Sequence, residues 1–189
     1  MPNRQMIDLL AVSEPFIQSA ARFGEVPLDD PTGYRELMSC FPTGVAVVTA
    51  IDAAGRAQGM TCTSLTSVTL DPPTLLVCLG SGGSTTAAVH ASGRFAVNLL
   101  HADAVAAARL FSSPTPDRFS HVHWEPSPAL SAPWLCDDAF ALAECHVSRT
   151  IVVADHDLVL GQVVWSSLDR AAPLLYGRRR FAPFPNDDA

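Results

Sequence analysis

The residues richest in usable chemistry lie between Gly59 and Pro73, GMTCTSLTSVTLDPP, where Thr61, Thr63, Ser64, Thr66 and Ser67 carry closely spaced hydroxyls. Period-two alternation in a strand sends Thr61 and Thr63 to one face, while Ser64 and Ser67 fall where the chain bends. Small side chains, hydroxyls and open backbone N–H groups suit a flat polar ring. A flavin is such a ring: its N1 and C2 carbonyl gain negative charge on reduction, and preorganised donors stabilise that charge. An edge strand with threonines on its wet face fits the same composition equally well.

Two further stretches could do chemistry. In Gly80-Ser81-Gly82-Gly83-Ser84 the glycines allow N–H groups to converge on a phosphate, with a helix N-terminus behind them. A flexible hairpin loop is the plainer alternative. Ala154-Asp155-His156-Asp157 separates two apolar runs, which predicts a tight turn setting an imidazole at a barrel mouth, or a solvated turn with an incidental histidine. His121 and His123 have metal-like spacing, but they sit in a proline-rich connection with no third ligand nearby, so surface positions and no metal are expected. The chain has no GxGxxG after a strand, no GxxxxGK[ST] and no GxSxG elbow, so a Rossmann unit, a nucleoside-triphosphate loop and serine hydrolysis find no support.

The elements that must position these residues follow from turn punctuation. Residues 1–28 read as an extension with loosely helical apolar spacing, and residues 29–189 as one domain, since 189 residues suffice for a single core. Asp30-Pro31 predicts a helix start, ended by Pro42 and Gly44. β-Branched runs then predict short strands over 45–51, 57–64, 66–70, 74–79 and 95–100, with helices over 85–91 and 103–111. Residues 112–133 read as a long surface connection, before strands over 139–149, 151–153 and 158–166 and a last one near Leu174 and Tyr176. Many short strands with few helices predict an antiparallel barrel in a mainly β, α+β chain.

Composition narrows the partners. A formal charge of -7, with no basic run beyond Arg178-Arg179-Arg180, argues against nucleic acid. No apolar stretch reaches the roughly 18 residues that span a bilayer and no secretory leader is written at the N-terminus, so a cytoplasmic protein away from membranes is expected. Five cysteines without a CxxC pair suit reduced thiols, and 48% hydrophobic against 16% charged residues suggests a homodimer that buries extra apolar surface.

Taken in order, FPTGVAVVT at 41–49, GMTCTSLTSVTLDPP, VCLGSGGST, FAVNLL, ECHV, ADHDLVLGQV, and PLLY followed by Arg180-Phe181 resemble the flavin reductase family of the FMN-binding split-barrel fold, in particular the reductase components of two-component flavin-dependent monooxygenases. The resemblance spans about Tyr34 to Phe181. It implies an antiparallel Greek-key split β-barrel with flanking helices, FAD or FMN as flavin, NADH or NADPH as reductant, and a separate monooxygenase supplied by diffusing reduced flavin. It implies that Met60, Thr61, Cys62, Thr63, Ser64 and Ser67 line the isoalloxazine, with Cys78 on the strand that follows. Ser81, Ser84 and Thr85 would hold the flavin phosphate region, and Phe111 and Phe119 would border the pocket. His156 would stack the nicotinamide on the flavin, and Arg180 and Phe181 would close over it.

Ala154 stands where the family has glycine and Phe181 where it more often has tyrosine. With no basic patch for a 2′-phosphate beyond Arg178 to Arg180, the sequence tilts toward NADH, and the family's partners tilt toward FAD. A flavin-retaining electron carrier and a non-enzymatic split-barrel binding module are the alternatives. In every version of the enzymatic reading, His156 must lie near the hydroxyl-bearing rim.

Overall fold

The computed structural model describes residues 31–185. The chain divides into two compact units, Met1–Cys40 and Phe41–Ala189, so the division falls at Cys40, past the 28/29 boundary expected from sequence. In the first unit the described part is helix α1 (Pro31–Ser39), with proline in its first turn and Tyr34, Leu37 and Met38 exposed. The expected cap Asp30 and the extension 1–28 lie outside the described residues.

The second unit is built from β1 (Thr43–Gly44), β2 (Ala46–Ile51), β3 (Ala57–Cys62), β4 (Leu65–Leu70), β5 (Pro73–Gly80), α2 (Ser84–Ser92), β6 (Arg94–Leu100), α3 (Val105–Ser112), a 3₁₀ turn (Arg118–His121), β7 (Trp124–Pro126), β8 (Pro133–Leu135), β9 (Ala139–Val153), β10 (His156–Leu168), β11 (Leu174–Gly177) and β12 (Arg180–Pro183). Seven strands form one antiparallel sheet in the order β3-β2-β6-β9-β10-β5-β4. Its two edge strands, β3 and β4, are consecutive in the chain and joined only by Thr63 and Ser64. A sheet whose outermost strands are two residues apart must curl until its edges meet, which makes it a barrel with a split between β3 and β4. Ser64 spans the split: its hydroxyl donates to the Cys78 carbonyl at 2.9 Å and accepts from the Cys78 N–H at 3.2 Å.

Strand β2 shows why the apolar runs read as strands. Ala46, Val48 and Ala50 point into the barrel, where they meet Val77, Leu79, Phe95, Val97 and Val159. Val45 and Val47 point outward into a second cluster with Ala108, Phe111, Leu135 and Leu174. Burial on both faces produces a continuous apolar run instead of alternation. Inside the barrel, Phe95 fills the volume that a side chain at Gly161 would need, and a Cβ there would also lie 2.8 Å from Cys145 Cβ.

The connection expected over 112–133 is more structured than its prolines suggest. It contains the 3₁₀ turn and β7, and β8 begins at Pro133 and pairs with β7 as a two-stranded ribbon. Leu130, Ala132 and Leu135 are buried. Buried polar groups stitch this segment to the barrel: Glu144 accepts from the Ser127 hydroxyl and from the Ala129 and Leu130 amides, while Asn98 bonds Pro133 and Leu135. Three-way acceptance satisfies a carboxyl group that would otherwise be costly inside a core. Sequence also left β12 unseen, and it merged β1 with β2 and divided β9.

Candidate active site

The hydroxyl stretch divides by alternation. Cys62 belongs to the barrel core and Met60 packs against it, while Thr61 and Thr63 face outward. The Thr61 hydroxyl donates to the Ala108 carbonyl at 2.7 Å, fastening α3 to β3 and leaving the oxygen as an acceptor at the site wall. Behind this strand, Phe111 and Phe119 meet edge to face at 5.1 Å and press on Gly59, where an added Cβ would lie 2.9 Å from Phe111 and 3.0 Å from Phe119. Arg118 Nη1 closes the back by donating to the Gly59 and Phe111 carbonyls at 3.0 and 3.2 Å. Phe111, 1% exposed, therefore backs the strand from beneath.

A cleft of about 750 Å³ opens on the outward face. Thr61 and Thr63 form one wall, Val105, Ala108, Arg109 and Ser112 of α3 a second, and Tyr176, Arg179, Arg180 and Phe181 of the last hairpin a third. That volume suits a drug-sized or nucleotide-sized ligand. Tyr176 and Phe181 lie 5.0 Å apart at 53°, and the Arg109 guanidinium sits 5.9 Å from the Phe181 ring centre. The hairpin turns tightly because Gly177 pairs with Arg180, leaving Arg178 and Arg179 in left-handed conformations at φ 48° and 60°. Asn-Gly is the usual occupant of such a turn, so two arginines there carry backbone strain.

The second half of the site surrounds the glycine loop. Asp157, buried at the start of β10, accepts from Ser81 Oγ at 2.6 Å and meets His90 Nε2 of α2 at 2.6 Å. The Ser81 hydroxyl, and then His90, hold its carboxyl below the ordinary value. The Ser81 amide bonds the Asp155 carbonyl at 2.9 Å and Thr86 Oγ1 bonds the Gly80 carbonyl at 2.8 Å, so loop, helix and turn form one unit. Helix α2 starts after an extended Gly83 with no side-chain cap, which leaves its first-turn amides without intrahelical partners. Ser84 is exposed there, whereas Thr85 is buried and can present only its backbone N–H.

His156 follows Ala154, which takes the left-handed φ of 53° that glycine adopts more easily. Its Nδ1 lies 2.8 Å from Asp155 Oδ1, and that contact is the main reason the Asp155 carboxyl is lowered. The ladder pairs His156 with Gly80 and Leu158 with Cys78, the residue that Ser64 bridges. The imidazole turn thus stands at the same barrel end as the Thr63-Ser64 link, although His156 does not line the cleft itself. Burial pushes the Cys78 thiol up, and neighbouring Cys62, Asp155 and Asp157 push the same way, which places Cys78 between the two halves.

A sequence profile described as a flavin reductase like domain matches residues 38–185. The chain belongs to the flavin reductase like family. It is 58% identical over 149 residues to a flavin reductase (NADPH) of Lentzea aerocolonigenes, covering 79% of this chain and 87% of the relative. The NADH:FAD oxidoreductase of Streptomyces globisporus C-1027, solved with NAD and FAD fragments, superposes with a TM-score of 0.82 at 33% identity, covering 88% of this chain and 99% of that one. The styrene monooxygenase flavin reductase of Pseudomonas putida S12 gives 0.74 at 33% identity, covering 81% and 97%.

Within this flavin reductase like fold, the residues named from sequence sort into groups. Thr61, Thr63, Arg180 and Phe181 share the cleft. Cys78, Ser81, Ser84, Thr85 and His156 cluster at the loop and turn, with Ser64 joining the two sets. Ser67 lies exposed on β4 beside a register shift, outside the cleft. Sequence reasoning missed Arg109, Tyr176, Arg179, His90 and Asp157. Arg179 belonged to the one basic run and Tyr176 to the PLLY segment, but Arg109 in an alanine-rich helix and the His90–Asp157 pair gave no local signal.

Proposed function

We propose that this chain is an NAD(P)H-dependent flavin reductase that takes hydride from a nicotinamide nucleotide onto FAD and passes reduced flavin to a separate flavin-dependent monooxygenase. The observation that carries the reading is the cleft in which Thr61 and Thr63 face the aromatic and cationic hairpin, with the imidazole turn at the same barrel end. Flavin bound along the hydroxyl link would supply the hydride acceptor at N5. The protein needs no nucleophile for this step, because two stacked rings about 3–3.5 Å apart react once they are positioned.

Thr61, Thr63 and the backbone of Ser64 fit the polar edge of a flavin ring, and the α2 N-terminus fits its phosphate. His156, held by Asp155, orients the nicotinamide, and Phe181 stacks without donating a hydrogen bond. Three guanidinium groups, Arg109, Arg179 and Arg180, line the cleft from two different elements. That convergence reverses the sequence-based tilt: the 2′-phosphate of NADPH finds a cationic rim here. Exposed Val68 and Leu70 on β4 and Ile151, Val152 and Val153 on β9 favour a second copy of the chain as their cover. Five free cysteines agree with a cytoplasmic setting, and no helix among the described residues is long and apolar enough to cross a membrane.

The test is an oxidation assay with NADH and NADPH against FAD, FMN and riboflavin, with the oligomeric state read by light scattering. Turnover with FAD, faster with NADPH, is expected from a dimer. Flavin binding without oxidation of either nucleotide would contradict the reading.

A further inference from the structure

The β7–β8 ribbon carries a cluster that the site above does not use. The Cys136 amide donates to the His123 carbonyl at 3.0 Å, which extends the Trp124–Leu135 pairing by one step. His123 and Cys136 therefore stand opposite each other, with side chains on one face. Glu125 lies two residues along β7 and shares that face. One donor atom from each of His123, Glu125 and Cys136 lies within 4.8 Å of the others. His123 Nε2 is 3.8 Å from Glu125 Oε1, while its Nδ1 is 3.1 Å from Asp137 Oδ1.

We propose that His123, Glu125 and Cys136 bind one divalent cation of the zinc class, with Asp137 as the group that orients the imidazole. Imidazole, carboxylate and thiolate are the donor set zinc prefers, and bonds of about 2.0–2.3 Å in a tetrahedron require donors roughly 3.3–3.8 Å apart. The His123–Glu125 spacing already matches that edge.

The position of Asp137 is the second, independent sign. A metal-bound histidine almost always gives its other ring N–H to a carboxylate, which fixes the tautomer and turns the free lone pair to the metal. Here Nδ1 faces Asp137, so Nε2 is the nitrogen left for the cation, and Nε2 is the one that faces Glu125. Cys136 would bind as thiolate, releasing its proton to solvent as the metal–sulfur bond forms. His123 and Glu125 are more than half exposed, which leaves room for water at the fourth position.

The sequence offered His123 no third ligand because the nearest one arrives through strand pairing. Trp124, between the two β7 ligands, packs on Phe119 at 5.5 Å, and Phe119 packs on Phe111 behind the hydroxyl strand. A cation here is a clip on the ribbon that backs the active site, so its signature is binding and stability.

The experiment is a titration of the chelator-treated full chain with Co²⁺ and then Zn²⁺. One Co²⁺ per chain is expected, with a thiolate-to-cobalt charge-transfer band that Zn²⁺ abolishes by displacement, and Zn²⁺ should raise Tm. His123→Ala and Cys136→Ser should lose the band, while Asp137→Asn should keep it and bind about 10–100-fold more weakly. A wild-type protein with no such band, or zinc affinity unchanged in Cys136→Ser, overturns the proposal.

Discussion

The two halves of the site are built in opposite ways. Around the glycine loop, Asp157 ties Ser81 of the loop to His90 of α2, and further main-chain bonds tie the loop to the His156 turn. Across the split, the last hairpin belongs to a separate three-stranded sheet, turns through two left-handed arginines and presents exposed guanidinium groups to the cleft. The first half is rigid through satisfied hydrogen bonds and suits a ring and phosphate that must be held in one pose. The second half is a short strained arm that suits a nucleotide arriving and leaving each cycle. A reductase that exchanges both substrates can thus keep one geometry fixed while the other side adapts.

This contrast is broken or sharpened by four substitutions. The largest effect is expected for Arg109→Ala with Arg179→Ala: kcat/KM for NADPH should fall about 100-fold, since charged hydrogen bonds contribute about 1.5–3 kcal/mol each, while NADH changes little. Equal losses for both nucleotides would move the arginines to a shared part of the dinucleotide.

Asp157→Asn should weaken flavin binding by about tenfold, measured by fluorescence titration, because Ser81 and His90 lose their common charged partner. The depressed Asp157 carboxyl also sets a pH dependence. Its contribution to stability is full above the ordinary value of 3.8 and disappears as pH falls through the lowered value. Wild-type Tm should drop more steeply than that of the variant in that acid range.

His156→Ala should raise the nicotinamide KM or lower kcat by roughly threefold to tenfold with flavin Kd unchanged, as positioning contacts usually do. Unaltered steady-state kinetics would take the imidazole out of the site. The smallest effect is expected for Ala154→Gly, which relieves a left-handed alanine and should raise Tm by about 2–4 °C, or roughly 1 kcal/mol. A lower Tm would show that the turn is unstrained.

Much of the barrel was legible because its strands are local events. The β2 run and the Ser81–Ser84 loop announce themselves through apolar runs and turn residues, and the tight turn before His156 was placed to within a residue. The barrel end shared by the hydroxyl link and His156 followed from the order of those strands. What stayed hidden depends on partners distant in the chain. The His90–Asp157 pair, the buried Glu144 under the proline-rich connection and the Cys136–His123 pairing exist only once strands have met. Alternation foresaw Thr61 and Thr63 on one face, but not that Met60 and Cys62 would turn into the core. Strand β12 was missed because Arg178-Arg179 looks like a poor turn by composition.

The central claim is that this chain positions a reduced nicotinamide against flavin and lets both products go. Anaerobic mixing of a trace of protein with excess FAD and NADPH tests it most directly, read as loss of oxidised flavin absorbance. Complete bleaching, with many flavins reduced per chain, is the predicted result. Bleaching that stops at one flavin per chain, or does not occur although flavin binds, would contradict it.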